Sequence, residues 1–264
     1  VVERFSHFGG AAAGDVRVIE SGLNGDLWIG TQGSGLGRWR EGKFKTFQAS
    51  DGLPENFILS LYCDADGTLW IGTLDLGLCR YQNGTFRTIN TLNGLPASTI
   101  YHMEDDQMGH LWFNSSQGLF RVSKRELNAV ADGQSQTLEP LAYGKAEGLA
   151  TLAGTGGFTP SGFRTAEGQL WFSTARGIAV VTPTSAKANP VRPPVWIEDV
   201  VMDGQSVPIT RPPALPTARP QSPPTARGLV TLQPGRRQMD VQFTGLSFTS
   251  PERVQFKYRL EGLD

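Results

Sequence analysis

Between residues 58 and 89, apolar and polar positions fall into four short runs separated by tight-turn residues. Ile58 to Cys63 is apolar-rich, Asp66-Gly67 has the composition of a hairpin turn, and Leu69 to Thr73 is a second run. Leu78 to Tyr81 follows, then Asn83-Gly84 as another turn, then Phe86 to Ile89. Each run is too short for a helix, so the pattern predicts four antiparallel strands. In the second run Leu69 and Ile71 point one way and Trp70 the other, yet all three are apolar. Both faces of this small sheet must therefore be covered.

The unit recurs. Asp26-Leu27-Trp28-Ile29-Gly30-Thr31 and Thr68-Leu69-Trp70-Ile71-Gly72-Thr73 are nearly one text, and His110 to Ser115 and Gln169 to Thr174 repeat it. The tryptophans at 28, 70, 112 and 171 are spaced by 42, 42 and 59 residues, and Gly25, Gly67, Gly109 and Gly168 each sit three residues earlier. Gly52-Leu53-Pro54 recurs as Gly94-Leu95-Pro96 and loosely as Gly148-Leu149-Ala150. A period of about 40 residues made of four strands predicts radially stacked propeller blades. The longer third step holds an insertion: Ser123-Lys124-Arg125-Glu126 is a capping box, Leu127 and Val130 share a face, and Gly133 can end a helix. This predicts a short helix near 124–131, on the outer rim of the third blade between its last two strands.

The fourth blade has runs at Leu170 to Thr174 and Ile178 to Thr182 but no clear outer strand. Val1 to Phe8 reads as an outer strand without a blade, which belongs to a preceding blade or closes the fourth in a ring. After Pro193-Pro194, Val195 to Val201 reads as a strand turning at Asp203-Gly204. Residues 205–228 hold seven of the 17 prolines, a composition for a linker or long loop. Met239 to Phe243 and Phe256 to Leu260 alternate like strands of a sandwich. The fold class predicted is all-β: about four four-stranded antiparallel blades, part of a larger seven-bladed propeller, plus a partial β-sandwich.

Composition adds few constraints. The 32 glycines suit a turn-rich all-β chain, and a formal net charge of −1 disfavours nucleic acid as a partner. No apolar run is long enough to span a membrane. The chain opens on Val1-Val2-Glu3 and stops at Asp264 within a strand-like pattern, so it reads as a fragment of a longer protein. Cys63 and Cys79 fall on the first and third strands of one blade. Two strand spacings of about 5 Å each put them out of disulfide reach and predict free thiols.

Taken together, the Gly-Leu-Pro turn, the Asp-Gly-x-Leu-Trp-Ile-Gly-Thr strand and Gly77-Leu78-Cys79-Arg80-Tyr81 resemble the two-component regulator propeller repeats. Leu246-Ser247-Phe248 and Tyr258-Arg259-Leu260-Glu261-Gly262-Leu263-Asp264 resemble the start of the triple-tyrosine (Y_Y_Y) domain that follows such propellers. Tyr143 to Leu149, continuing through Gly156-Gly157, is similar to the family's lead into its last blade, with Thr155 where members often have Asn. The domain organisation expected is blades over 1–192, a strand and turn over 193–204, a Pro-rich linker or loop over 205–228, and the start of an immunoglobulin-like triple-tyrosine domain over 229–264. The resemblance implies the periplasmic, extracytoplasmic part of a bacterial inner-membrane receptor with a histidine kinase or related output. The parent would be anchored through a segment beyond residue 264 and would act as a dimer.

Candidate chemistry is sparse. The tryptophans recur at one strand register and read as blade packing rather than ligand platforms. Asp-box turns require Asp five residues before Trp, where this chain has Leu23, Ala65, Gln107 and Ala166. Asp64 with Asp66, and Glu104-Asp105-Asp106, lack the ligand count of a calcium loop. His7, His102 and His110 have no zinc-spaced partners. No metal, cofactor or catalytic residue is therefore expected, and the chain reads as no enzyme. The leading function is ligand binding for signalling, with an oligosaccharide, another small molecule or a protein partner as ligand. The alternatives are a protein-interaction propeller without sensing and a propeller hydrolase or lyase. Loops between blades, and between second and third strands, emerge on one face of such an array. There they carry Gln32, Ser34, Glu55, Asn56, Asp75, Ser98, Thr99, Ser116, Gln117 and Arg176 as candidate ligand-binding residues.

Overall fold

The structure, a computed structural model, describes residues 7–8, 11–12, 15–157, 159–185, 195–207 and 238–245. The chain divides into two compact units, Val1–Ala188 and Asn189–Asp264. In the first, β1 (His7–Phe8) and β2 (Ala11–Ala12) form a small hairpin. The first blade then comprises β3 (Asp15–Ser21), β4 (Leu27–Gln32), β5 (Leu36–Arg40) and β6 (Lys43–Phe47). The second comprises β7 (Ile58–Cys63), β8 (Leu69–Thr73), β9 (Leu78–Gln82) and β10 (Thr85–Ile89). The third comprises β11 (Ile100–Asp105), β12 (His110–Ser115), β13 (Gly118–Ser123) and β14 (Leu141–Tyr143). The fourth has three strands, β15 (Gly162–Arg164), β16 (Leu170–Thr174) and β17 (Gly177–Val181). All pairings are antiparallel between neighbours in sequence, the meander of a propeller blade.

The repeated glycines have a local cause. Gly25, Gly67, Gly109 and Gly168 take φ between +80° and +95° in the turn before each tryptophan strand, where a side chain would be strained. The expected helix is α1 (Lys124–Ala131), with the Ser123 hydroxyl accepting from the Glu126 amide at 3.2 Å. It follows β13 and precedes β14, and its Leu127, Val130 and Ala131 are buried. Both cysteines are free, and burial pushes the Cys79 thiol up to about 12.

Blade stacking follows from strand alternation. Trp28 joins Ile58, Leu61 and Leu69 in the core between the first two blades. Trp70 packs with Ile100, Leu111 and Phe113 between the second and third. Trp112 packs with Leu170 and Phe172 between the third and fourth. Each of these tryptophans faces the following blade, while Leu69 and Ile71 face the preceding one. Close approach at the inner strands excludes side chains: a Cβ on Gly72 would lie 2.2 Å from Ser60 Oγ and 2.9 Å from Ile100.

In the second unit, β18 (Val195–Met202) lies between β19 (Gln205–Ser206) and β20 (Met239–Gly245), with a bulge between Ile197 and Asp199. The strand over 195–201, the turn at 203–204 and the strand over 239–243 are thus present. The proline-rich stretch from 208 onward, the strand expected over 256–260 and the triple-tyrosine motif residues lie outside the described residues. Most of the outer strand expected over 1–8 does too; of it, His7 and Phe8 are described, paired with Ala11–Ala12.

Candidate functional site

The candidate residues sit on a loop face that backbone hydrogen bonds assemble. In the first blade the turn from β4 to β5 donates from Gly33 N and Gly35 N to the Asn56 carbonyl, at 3.0 and 3.2 Å. In the second, Leu74 N donates to Phe57 O at 3.3 Å and Gly77 N to Ser98 O at 2.8 Å. In the third, Ser116 N donates to Thr99 O at 3.3 Å, and in the fourth Ala175 N donates to Ala153 O at 3.1 Å. Each turn between second and third strands is therefore stapled to a connection between blades.

A repeated hydroxyl closes each turn. Thr31, Thr73, Ser115 and Thr174 stand three residues after the four tryptophans and donate to the carbonyls of Gly35, Gly77, Gly118 and Gly177, at 2.7 to 3.0 Å. The same oxygens accept from the amides of Ser34, Leu76, Gln117 and Arg176. This pins the candidate side chains of Ser34, Gln117 and Arg176 at defined places on the face.

Four of the ten candidates, Gln32, Asp75, Gln117 and Arg176, are exposed, and the other six are half-buried. Several of these six have structural duties. The Glu55 carboxylate accepts from the Asp75 amide at 3.0 Å, and Asn56, Ser98 and Thr99 supply the staple carbonyls. Asn56 Oδ1 is buried without a hydrogen-bond partner. No hydrogen bond or ion pair joins Arg176 to the other nine among the described residues. It lines a groove of about 460 Å³ with Leu119, Tyr143, Ile178 and Val180, beside the edge of the three-stranded fourth blade.

Arg17, which no sequence pattern singles out, joins two blades. Its guanidinium donates to the Gln32 side chain and, at 2.9 Å, to Gly157 O, while its carbonyl accepts from Thr159 Oγ1 at 2.8 Å. The first blade is thereby tied to the loop leading into the fourth. Arg17 occupies a β-bulge between Val16 and Val18, and the second and third blades bulge at the same place, Leu59 and Tyr101.

Away from this face, several acidic residues have structural partners. Trp70 Nε1 donates to Asp64 at 2.9 Å and Trp112 Nε1 to Asp106 at 3.0 Å, from Asp six residues before each tryptophan. In the first blade that place is Gly22, where a Cβ would lie 2.6 Å from Trp28 Nε1. Lys124 Nζ bridges Asp64 and Asp105 at 2.5 and 2.8 Å, joining the second and third blades, and Tyr62 donates to Asp105 at 2.9 Å. Burial pushes Asp105 up, but hydrogen bonds from Lys124 and Gln107 outweigh it and hold the carboxyl below its ordinary value. Burial likewise pulls Lys124 down, and its two carboxylate partners raise it on balance. His102 lies 2.9 Å from Glu104 on the innermost strand of the third blade. Nearby Glu20 has its carboxyl raised, first by burial.

Residues 52–75 match the family described as two component regulator propeller. No curated protein matches the sequence. Among solved structures, the chain is similar to the extracellular domain of BT3049, described as a hybrid two component system of B. thetaiotaomicron. The likeness is 19% identity over 78% of this chain and 34% of that one, with TM-score 0.48. It is also similar to the extracellular domain of BT4673 of the same organism, at 17% identity over 74% and 24% of the two chains, with TM-score 0.47. A third likeness is to virginiamycin B lyase from Staphylococcus aureus, at 16% identity over 63% and 55%, with TM-score 0.41. The chain thus spans about a third and a quarter of the length of the first two. What the strand pairing and the matched repeat establish together is an array of β-propeller blades carrying a two-component regulator propeller repeat at residues 52–75.

Proposed function

We propose that the chain is the ligand-binding, periplasmic sensor region of a bacterial two-component receptor, without catalytic activity of its own. The observation that carries this reading is the position of the matched repeat. Residues 52–75 run from the connection between the first two blades, through β7 and β8, to the turn at Asp75. They contain Glu55, Asn56 and Asp75, the middle of the loop face. A rigid stack of blades holds these loops while leaving their exposed side chains free to vary, which suits recognition of a small polar ligand or oligosaccharide. The parent receptor carrying Asn56→Ala, Asp75→Ala and Arg176→Ala should lose or alter its signalling response while the melting temperature of the sensor region stays nearly constant. Normal signalling by that triple variant would reject the loop face as the site.

A lyase or hydrolase reading has one observation in its favour, the proximity of Glu20, His102 and Glu104 on the inner strands. It requires that His102→Ala abolish turnover of some substrate. The sensor reading requires only that signalling survive that change.

A further inference from the structure

The insertion that breaks the 42-residue period builds a cleft that blade packing does not call for. Helix α1 buries Leu127, Val130 and Ala131 into the core shared by the second and third blades. The segment after it is pinned to the second blade's exit turn, with Leu138 N donating to Asn93 O at 2.8 Å and Asn93 Nδ2 to Gln136 O at 3.1 Å. This sets the C-terminal end of α1 opposite the outer hairpin of the second blade. On that hairpin, Arg80 pairs with Arg87 and Gln82 with Thr85, so the four side chains share one face. Between this face and residues 130–133 lies a cleft of about 660 Å³.

Its charge is unbalanced. Arg80 is 7% exposed and spends its guanidinium on the helix, donating Nη1 to Asn128 Oδ1 at 2.8 Å and Nη2 to the Asp132 carboxylate. The Arg80 hydrogen bond, with the charges of Arg80 and nearby Arg87 added, holds the Asp132 carboxyl below its ordinary value, so two guanidinium groups share one acid. Arg80 Nε is buried with no partner. Arg87 is exposed and has no ion-pair partner among the described residues. In the first blade the corresponding face carries Arg38, Arg40, Lys43 and Lys45, but no helix among the described residues encloses it and Asp26 pairs with both Arg38 and Arg40.

We propose that this rim cleft is a second binding site, taking an acidic oligosaccharide by a uronic-acid carboxylate on Arg87. An exposed guanidinium without a hydrogen-bonded ion pair offers a carboxylate two parallel donors. Asn83 and Thr85 add amide and hydroxyl groups that match sugar hydroxyls, while the apolar lining is limited to Val130 and Ala131, both buried, with no aromatic ring. Such a lining rewards hydrogen-bonding ligands over apolar ones. The site is separate from the loop face and does not depend on it.

The test is calorimetric titration of the full chain with trigalacturonate, maltotriose and sodium sulfate. Trigalacturonate should bind, and Arg87→Ala should weaken it about ten-fold, as expected for one charged hydrogen-bonding group. Thr85→Trp, on the same exposed face, should block the cleft and abolish binding with the melting temperature unchanged. Asn56→Ala and Arg176→Ala should leave the affinity untouched, which separates this site from the loop face. No binding of trigalacturonate, equal affinity for the Arg87→Ala chain, or a sulfate response as strong as that of the trisaccharide would each overturn the proposal.

Discussion

The three interfaces between blades and the two outer faces of the array are built from the same strands, and they end differently. At the interfaces Trp28, Trp70 and Trp112 are 4%, 0% and 0% exposed. On the fourth blade the register places Trp171 with Phe163 and Val180 on the corresponding face. There Phe163 is 52%, Ile178 67% and Val180 47% exposed, and the Trp171 indole N–H is buried with no partner. The first blade mirrors this on the face away from Trp28, where Val16, Ile19 and Leu27 are 46%, 59% and 40% exposed. A blade is therefore two-sided and apolar by construction, and the same side chain is core or surface according to whether a neighbouring blade covers it. Contiguous apolar surface of this kind favours association.

The largest effect that could break this comparison is at the tryptophans. Trp70→Ala should cost about 3–5 kcal/mol by opening a cavity between blades, whereas half-buried Trp171, beside the exposed Phe163 and Val180, should cost less when changed to Ala. Chemical denaturation of both variants reads the difference, and equal losses would refute the distinction.

Next comes the acid beneath the indole. Asp106→Ala removes the acceptor of Trp112 Nε1 and of the Met108 and His110 amides, and should cost about 1–3 kcal/mol. A thermal shift within error of the parent would show those hydrogen bonds to be idle.

The Asp64–Lys124–Asp105 bridge gives a smaller effect with a pH signature. Asp105 has a lowered folded value, so its contribution is present above its unfolded value of about 4 and is lost as pH falls through the folded one. Lys124 has a raised value, so its contribution is present below about 10.4 and is lost as pH rises through the folded one. Lys124→Met should therefore lower stability near pH 7 by at most about 1 kcal/mol, and the gap in melting temperature from the parent should close toward both extremes. A gap independent of pH would assign Lys124 a packing role instead.

Much of the fold was readable because two signals reinforced each other. Short apolar runs set the strands, and glycine at fixed offsets set the turns, so β7 to β10 and α1 fall where the pattern predicts. The roles of Asp64 and Asp106 are not legible from the Asp-box pattern, which places its Asp five residues before tryptophan, while here the acceptor sits at the sixth. The hydroxyl residues three places after each tryptophan, Thr31, Thr73, Ser115 and Thr174, look like ordinary strand residues and reveal their part only when the turn folds back on them. The candidate face was legible as a set of loops but not residue by residue. Glu55, Asn56, Ser98 and Thr99 turn out to hold loops together, a use that polar composition cannot distinguish from ligand binding. Arg17 and the rim cleft depend on residues more than 40 positions apart, and no local pattern carries such a pairing.

The smallest expected change in stability belongs to the outer faces. Ile19→Lys and Ile178→Lys touch no buried core and should alter the melting temperature by less than about 0.5 kcal/mol in equivalent stability. Their effect should appear in association instead, and this tests the account's central claim, that the apolar side chains exposed on the first and fourth blades among the described residues drive association. Sedimentation velocity of the chain should show concentration-dependent oligomers that the Ile19→Lys, Ile178→Lys double variant shifts toward monomer. A parent chain that sediments as a single monomer and unfolds cooperatively would contradict that claim and point to a closed ring of four blades.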